Sequence, residues 1–159
     1  MHVAESDAKP DQWGEAELNA ALLKAVATFE QLTPASVNQL DQIYTATAYF
    51  KDPFNEFEGV EDIKRVFGHM FIALNEPRFE VTANFGKGNE AFLSWNFIFK
   101  FKDTQPEVLQ CIRGSTHLKF SENGRVCYHR DYWDAAEELY EKIPYLGGLM
   151  RWIKRRAAG

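Results

Sequence analysis

The hydrophobic period of this chain changes once, at Pro77, and that change limits the folds open to it. Before Pro77, apolar residues recur at helical spacing; after it, they alternate. From about Asp11 to Leu32 a stripe of Leu18, Leu22, Val26 and Phe29, filled in by Ala21 and Ala25, predicts an amphipathic helix. Thr33-Pro34 then reads as a cap and first residue of a short second helix, with Val37, Leu40, Ile43 and Tyr44 on one face. Pro53 excludes a helix interior from Tyr49–Phe54, which reads as a short extended segment ending in a turn. Beyond Gly59, Glu61 and Asp62 suit the positive end of a helix dipole, and Ile63, Val66, Phe67, Met70, Phe71 and Leu74 continue the helical spacing. Strands follow. Phe79, Val81 and Ala83 alternate up to a turn at Gly86–Asn89, and Ala91–Lys102 carries Trp95, Phe97, Phe99 and Phe101 on one face. Asp103–Pro106 turns the chain into a strand over Glu107–Phe120, and one more follows. Helices followed by antiparallel strands predict an α+β class with helices covering one sheet face.

The last two strands flank Ser121-Glu122-Asn123-Gly124, a turn cluster that predicts a hairpin with a four-residue loop. Pairing Phe120 with Arg125 sets Leu118 opposite Cys127, Thr116 opposite His129, Gly114 opposite Asp131 and Ile112 opposite Trp133. Opposed residues share a face, so these eight form one side. The other side carries Arg113, Ser115, His117, Lys119, Val126, Tyr128, Arg130 and Tyr132. The first set is more apolar and is expected to face inward, taking a histidine and an aspartate with it. A charge on an apolar face is costly unless it is paired or used. Glycine opposite Asp131 is expected to leave space there.

Composition narrows the class. At 159 residues, 45% hydrophobic and 26% charged, the chain is expected to be one globular domain with a real core. The high aromatic content, 14%, fits either large flat core surfaces or an aromatic-lined cavity. A net charge of −5 argues against nucleic acid as a partner. No zinc-like Cys/His spacing occurs, and no metal is implied. Without a long apolar run or a leader pattern, and with Cys111 and Cys127 out of reach of each other in this register, the expected location is cytoplasmic. Residues 1–10 are polar and aperiodic and are expected to be disordered; the domain should occupy 11–134, with a helical extension over 135–159. That extension ends in a basic amphipathic segment, with Leu149, Trp152 and Ile153 against Arg151, Lys154 and Arg155. It is expected to dock on the domain, membrane contact being the weaker alternative.

Asp52-Pro53-Phe54, then Gly59, then Ile63, with Gly124-Arg125 leading to Tyr132-Trp133-Asp134, resembles the nuclear-transport-factor-2-like superfamily in its SnoaL-like and ketosteroid-isomerase-like branch. The resemblance covers roughly residues 15–135 and rests on the order and spacing of short motifs. It implies a curved sheet wrapped as a cone around the N-terminal helices, an internal pocket, and a homodimer through the sheet's outer side. It also implies that the general-base aspartate of the isomerases falls on Asp52. Their oxyanion donors fall near Thr28 and on Thr116, and threonine is a weaker donor than that chemistry uses. Inward positions implied by the family fall on Ile63, Phe67 and Met70, on Trp95, Phe97 and Phe99, and on Cys127, His129, Asp131 and Trp133.

Each polar candidate also has an ordinary explanation. Aspartate before proline is a common turn former. His129 and Asp131, two apart on one strand, sit close enough to satisfy each other at a sheet edge. Two functions stay open. One is a pocket protein binding a small hydrophobic molecule, with Gly114, Thr116 and Trp133 joining the apolar wall. The other is a cofactor-independent isomerase, hydratase or hydrolase using Asp52, His129 and Asp131 as acid/base groups. Neither implies a cofactor.

Overall fold

The computed structural model describes residues 13–103 and 105–140. Helix α1 spans Glu15–Glu30 and buries Leu18, Ala21, Leu22, Ala25 and Phe29. The Glu17 carboxylate accepts from the Gly14 N–H at 3.0 Å, closing its first turn. A 3-10 helix follows over Ser36–Gln42, started by the Thr33 hydroxyl accepting from Ser36 N at 3.1 Å. Helix α2 runs over Val60–Ala73 with Val60, Ile63 and Phe67 buried, and Gly59 before it takes φ 122°, a conformation that favours glycine.

Among the described residues, six strands form one sheet in the order β2-β1-β6-β5-β4-β3. They are β1 (Tyr44–Lys51), β2 (Glu56–Glu58), β3 (Leu74–Lys87), β4 (Glu90–Phe101), β5 (Leu109–Phe120) and β6 (Val126–Tyr132). Irregularities between Asn75 and Arg78, between Val81 and Ala83, and at Lys119/Phe120 bend these long strands. The curved, unclosed sheet wraps one face around α1 and α2, and its concave side carries Ala91, Leu93, Trp95 and Phe99 into the core. The α+β cone expected from the sequence is the fold.

The structure departs from the sequence reading in the strands. Tyr44 does not end a helix; it opens β1, which pairs in parallel with β6 and sets Phe50 beside His129. A parallel partner 80 residues away leaves no trace in local periodicity, whereas hairpins do. The β5–β6 register also differs: Phe120 pairs with Val126, not Arg125, and Lys119 then pairs with Tyr128. Cys127 is the extra residue of a bulge. Val126 is therefore fully buried, where the sequence placed it outside, and Cys127 turns its thiol to the Lys119 carbonyl at 3.3 Å. Past the bulge the slip amounts to two residues, so side-chain parity survives and His129 and Asp131 still face inward. Asp131 lies opposite Thr116, not Gly114.

A short α3 (Ala135–Glu138) follows, capped by Asp134, whose carboxylate accepts from Ala136 N at 3.0 Å and Glu137 N at 3.1 Å. Glu138 accepts from Arg113 at 2.7 and 2.9 Å, tying α3 to β5. The expected disordered start over 1–10 and the extension beyond Tyr140, with its basic amphipathic end, lie outside the described residues.

Candidate active site

Inside the cone, four hydrogen bonds join five side chains from β1, β4, β5 and β6. Tyr44 Oη lies 2.8 Å from His129 Nδ1, and His129 Nε2 lies 2.9 Å from Asp131 Oδ1. From the other direction, Trp95 Nε1–H donates to Thr116 Oγ1 at 2.7 Å, and Thr116 donates to the same Asp131 Oδ1 at 2.5 Å. The β1–β6 pairing brings Tyr44 to this network, and the β5–β6 pairing brings Thr116. Phe29, Tyr44 and Phe50 pack their rings around the imidazole at centroid distances of 5.7, 5.9 and 4.8 Å.

The directions of these bonds assign the protons. Tyr44 is fully buried, and His129 is its one hydrogen-bond partner among the described residues. Were Tyr44 to accept from Nδ1–H, its own proton would be buried without an acceptor, at a cost of about 1–3 kcal/mol. Tyr44 therefore donates to Nδ1, and the imidazole is neutral with its proton on Nε2. That proton and the Thr116 hydroxyl both point at Oδ1, so that oxygen accepts twice and carries no proton itself. Among the described residues nothing donates to Asp131 Oδ2.

Burial, and secondarily the charge on Asp131, hold the Tyr44 hydroxyl well above the usual phenol range. In the unfolded chain a tyrosine ionises near pH ~10. Above that pH the unfolded state loses a proton that the native state keeps, so stability present at lower pH is lost as pH rises. This group contributes a fall of about 1.4 kcal/mol per pH unit. Tyr44→Phe should remove that increment from the alkaline limb of a urea-unfolding series. Tyr49, pushed to about 12 chiefly by its partial desolvation and its bond to Glu56, adds a slope of the same sign to both proteins. An identical alkaline slope in the variant would show that Tyr44 is not held protonated.

Asp131 also borders a cavity of about 490 Å³ beneath the sheet. Asp52, Phe67, Met70, Trp95, Phe97, Phe99 and Trp133, all singled out by sequence, line it together with Asp131. Thr116 and His129 lie one layer deeper, bordering a recess of about 20 Å³ that shares Phe67, Phe79, Trp95 and Asp131 with the larger space. Ile63 is fully buried in the core and does not reach the cavity wall. Gly114 offers no opening: a β-carbon there would lie 2.6 Å from Trp95 Cζ2 and 2.8 Å from Cζ3, because the indole already covers it. Thr28 is turned onto its own helix, donating to the Lys24 carbonyl at 2.8 Å.

Asp52 belongs both to a turn and to the cavity wall. Its Oδ1 accepts from Phe54 N at 2.7 Å and Asn55 N at 2.6 Å, and Asn55 Nδ2 reaches both carboxylate oxygens, so it builds the turn while facing the cavity. With those donors engaged it brings charge more than a free base. Sequence reasoning missed Tyr44, His69 and Phe79. Tyr44 was hidden by its assignment to a helix. His69 and Phe79 sit on periodic stripes and could have been read from them. Larger clefts, about 870 and 700 Å³, lie beside α1 and the hairpin turns. Neither is lined by the buried His129–Asp131 pair, so the aromatic cavity is the candidate site. Among the described residues no group of three or more His, Cys, Asp or Glu is placed to hold a metal ion, and no helix is long and apolar enough to cross a membrane.

The SnoaL-like domain family model matches residues 25–129, and the chain belongs to that family. No curated protein matches it. Among solved structures it is similar to a Catenulispora acidiphila protein of ketosteroid-isomerase-like fold in complex with trimethylamine, at 14% identity and TM-score 0.63, covering 75% of this chain and 88% of that one. It is also similar to a Shewanella putrefaciens protein described as a SnoaL-like polyketide cyclase, at 19% identity and TM-score 0.62, covering 77% and 96%. An epoxide hydrolase of LEH-like type from M. tuberculosis matches at 11% identity and TM-score 0.63, covering 88% and 97%. At these identities the likeness is one of fold.

Proposed function

We propose that the protein binds a small hydrophobic molecule in the aromatic cavity, with the Asp131 carboxylate as its polar anchor. The observation that carries this is a space of about 490 Å³ walled by aromatic and aliphatic side chains, into which few polar groups converge. The trimethylamine complex of the Catenulispora protein supports the reading. Native mass spectrometry of the purified protein tests it. A small-molecule adduct should accompany the wild type and be lost in Phe97→Arg, which puts a guanidinium among the cavity rings. An adduct retained by Phe97→Arg would place binding elsewhere.

One observation favours a second reading, an enzyme without a cofactor. Asp131 borders the cavity while its Oδ1 is held by two donors, an arrangement that suits a general base. His129 then acts through Asp131 and does not itself meet the ligand. The chemistry open to such a base is proton abstraction or activation of water for addition or hydrolysis.

We also propose that the protein is a homodimer through the outer sheet face. Phe85, Phe92, His117 and Arg130 follow one another directly across β3, β4, β5 and β6, and Tyr132 lies under Arg130 at 4.6 Å. Phe85 is 68% exposed and Tyr132 44%, a concentration of aromatic and arginine surface that suits an interface. Light scattering at roughly tens of micromolar should report a dimer, and Tyr132→Glu should shift it toward monomer by setting like charges against each other. A monomeric wild type would refute this.

A further inference from the structure

We infer that the cavity selects a hydrophobic cation, an amine or quaternary ammonium carried on an apolar body. This rests on the reading of the cavity as the binding site and adds the charge of what enters it. Its walls include the rings of Phe54, Phe67, Phe79, Trp95, Phe97 and Trp133. Aromatic faces carry the negative end of the ring quadrupole, so a cage of them attracts positive charge. The formal charges on the wall have the same sign. Asp52 and Asp131 line it, and no lysine or arginine does among the described residues.

The remaining titratable neighbours do not cancel those carboxylates. His129 is held neutral by the Tyr44 hydrogen bond, and it touches Asp131 from below, away from the larger space. His69, on α2, is exposed at the rim of the cavity lining. Lys51 and Arg130 border Asp52 and Asp131 in an adjoining recess that shares Asp52, Asp131 and Trp133 with the cavity. There Lys51 is paired with Glu56, and Arg130 lies over the Tyr132 ring. Asp131 is already only 17% exposed. A neutral apolar ligand would strip its last water and return nothing, whereas a cation supplies the missing partner for Oδ2. An anion would meet both carboxylates and the ring faces.

The test uses the full chain and three probes that share one ring system: 2-naphthylmethylamine, protonated at neutral pH, 2-naphthylmethanol and 2-naphthoate. Titration calorimetry should rank them amine, alcohol, carboxylate, with the amine about tenfold or more tighter than the alcohol, as a desolvated cation–ring and carboxylate site implies. Asp131→Asn should shrink that preference, weakening the amine more than the alcohol. The wild-type ranking decides the matter even if that variant folds poorly. Met70→Arg, which places a fixed positive charge on the wall, should abolish amine binding. Amine binding that survives Met70→Arg is attraction to the acidic surface and overturns the inference. Alcohol or carboxylate binding as tight as the amine overturns the ligand class but leaves a binding cavity. Binding of none of the three overturns both.

Discussion

Gly114→Ala should cost about 2–4 kcal/mol of stability, the sum of overpacking in a filled core and one buried hydrogen bond. The added methyl would meet the six-membered ring of Trp95, whose nearest atoms lie inside contact distance. That ring is not free to swing. Trp95 is 6% exposed, packs edge-on against Phe79 at 5.6 Å, and donates through Nε1 to Thr116. Moving the indole therefore breaks its bond to Thr116 and disturbs the hydroxyl that orients Asp131. The same displacement reshapes the cavity wall, so probe binding and stability should fall together. Urea unfolding monitored by tryptophan fluorescence gives the first quantity and calorimetry the second. A Gly114→Ala protein as stable as the wild type would show that Trp95 does not press on Gly114.

Replacing Asp131 should separate stability from binding according to what replaces it. Leucine removes the acceptor for both the Thr116 hydroxyl and the His129 Nε2–H, leaving two buried donors unpaired. At roughly 1–3 kcal/mol each, the loss should reach about 2–6 kcal/mol. Asparagine keeps an oxygen for both donors and turns its amide to the cavity. It loses only the charge, so its cost should be about 1 kcal/mol, the usual worth of one net hydrogen bond. Ligand affinity or turnover should nevertheless fall at least about tenfold in Asp131→Asn, because the charge at Oδ2 is what the site offers. Equal destabilisation by the two substitutions would mean that the carboxylate is not the acceptor on which the network converges.

The helices and the β3–β4–β5 hairpins were legible because each is encoded locally. Leu18 to Phe29 and Ile63 to Phe67 announce helices by spacing, and Trp95, Phe97 and Phe99 announce a strand wall by alternation. The inward placement of His129 and Asp131 was also legible, though the register used to reach it was off by two. The slip is an even number, and parity is all that facing requires. The bulge at Cys127 was not legible, since one extra residue in a turn-rich stretch changes no composition. Nor was Tyr44: its strand is defined by a parallel partner far along the chain, and that partner is what brings its hydroxyl to His129. The glycine opposite Asp131 was read as room, but the adjacent strand β4 fills it with Trp95. A single strand pair cannot report its next neighbour.

The proton arrangement beneath the cavity depends on Asp131 Oδ1 accepting from a neutral His129. Nitrogen-15 NMR of the histidine ring at neutral pH reads this directly, with a His129→Gln variant to assign its signals. The bond directions require Nδ1 without a proton, accepting from Tyr44, and Nε2 carrying one, donating to Asp131. Signals of a protonated Nε2 and an unprotonated Nδ1 are the expected result. A ring protonated on both nitrogens, or on Nδ1 alone, would contradict it.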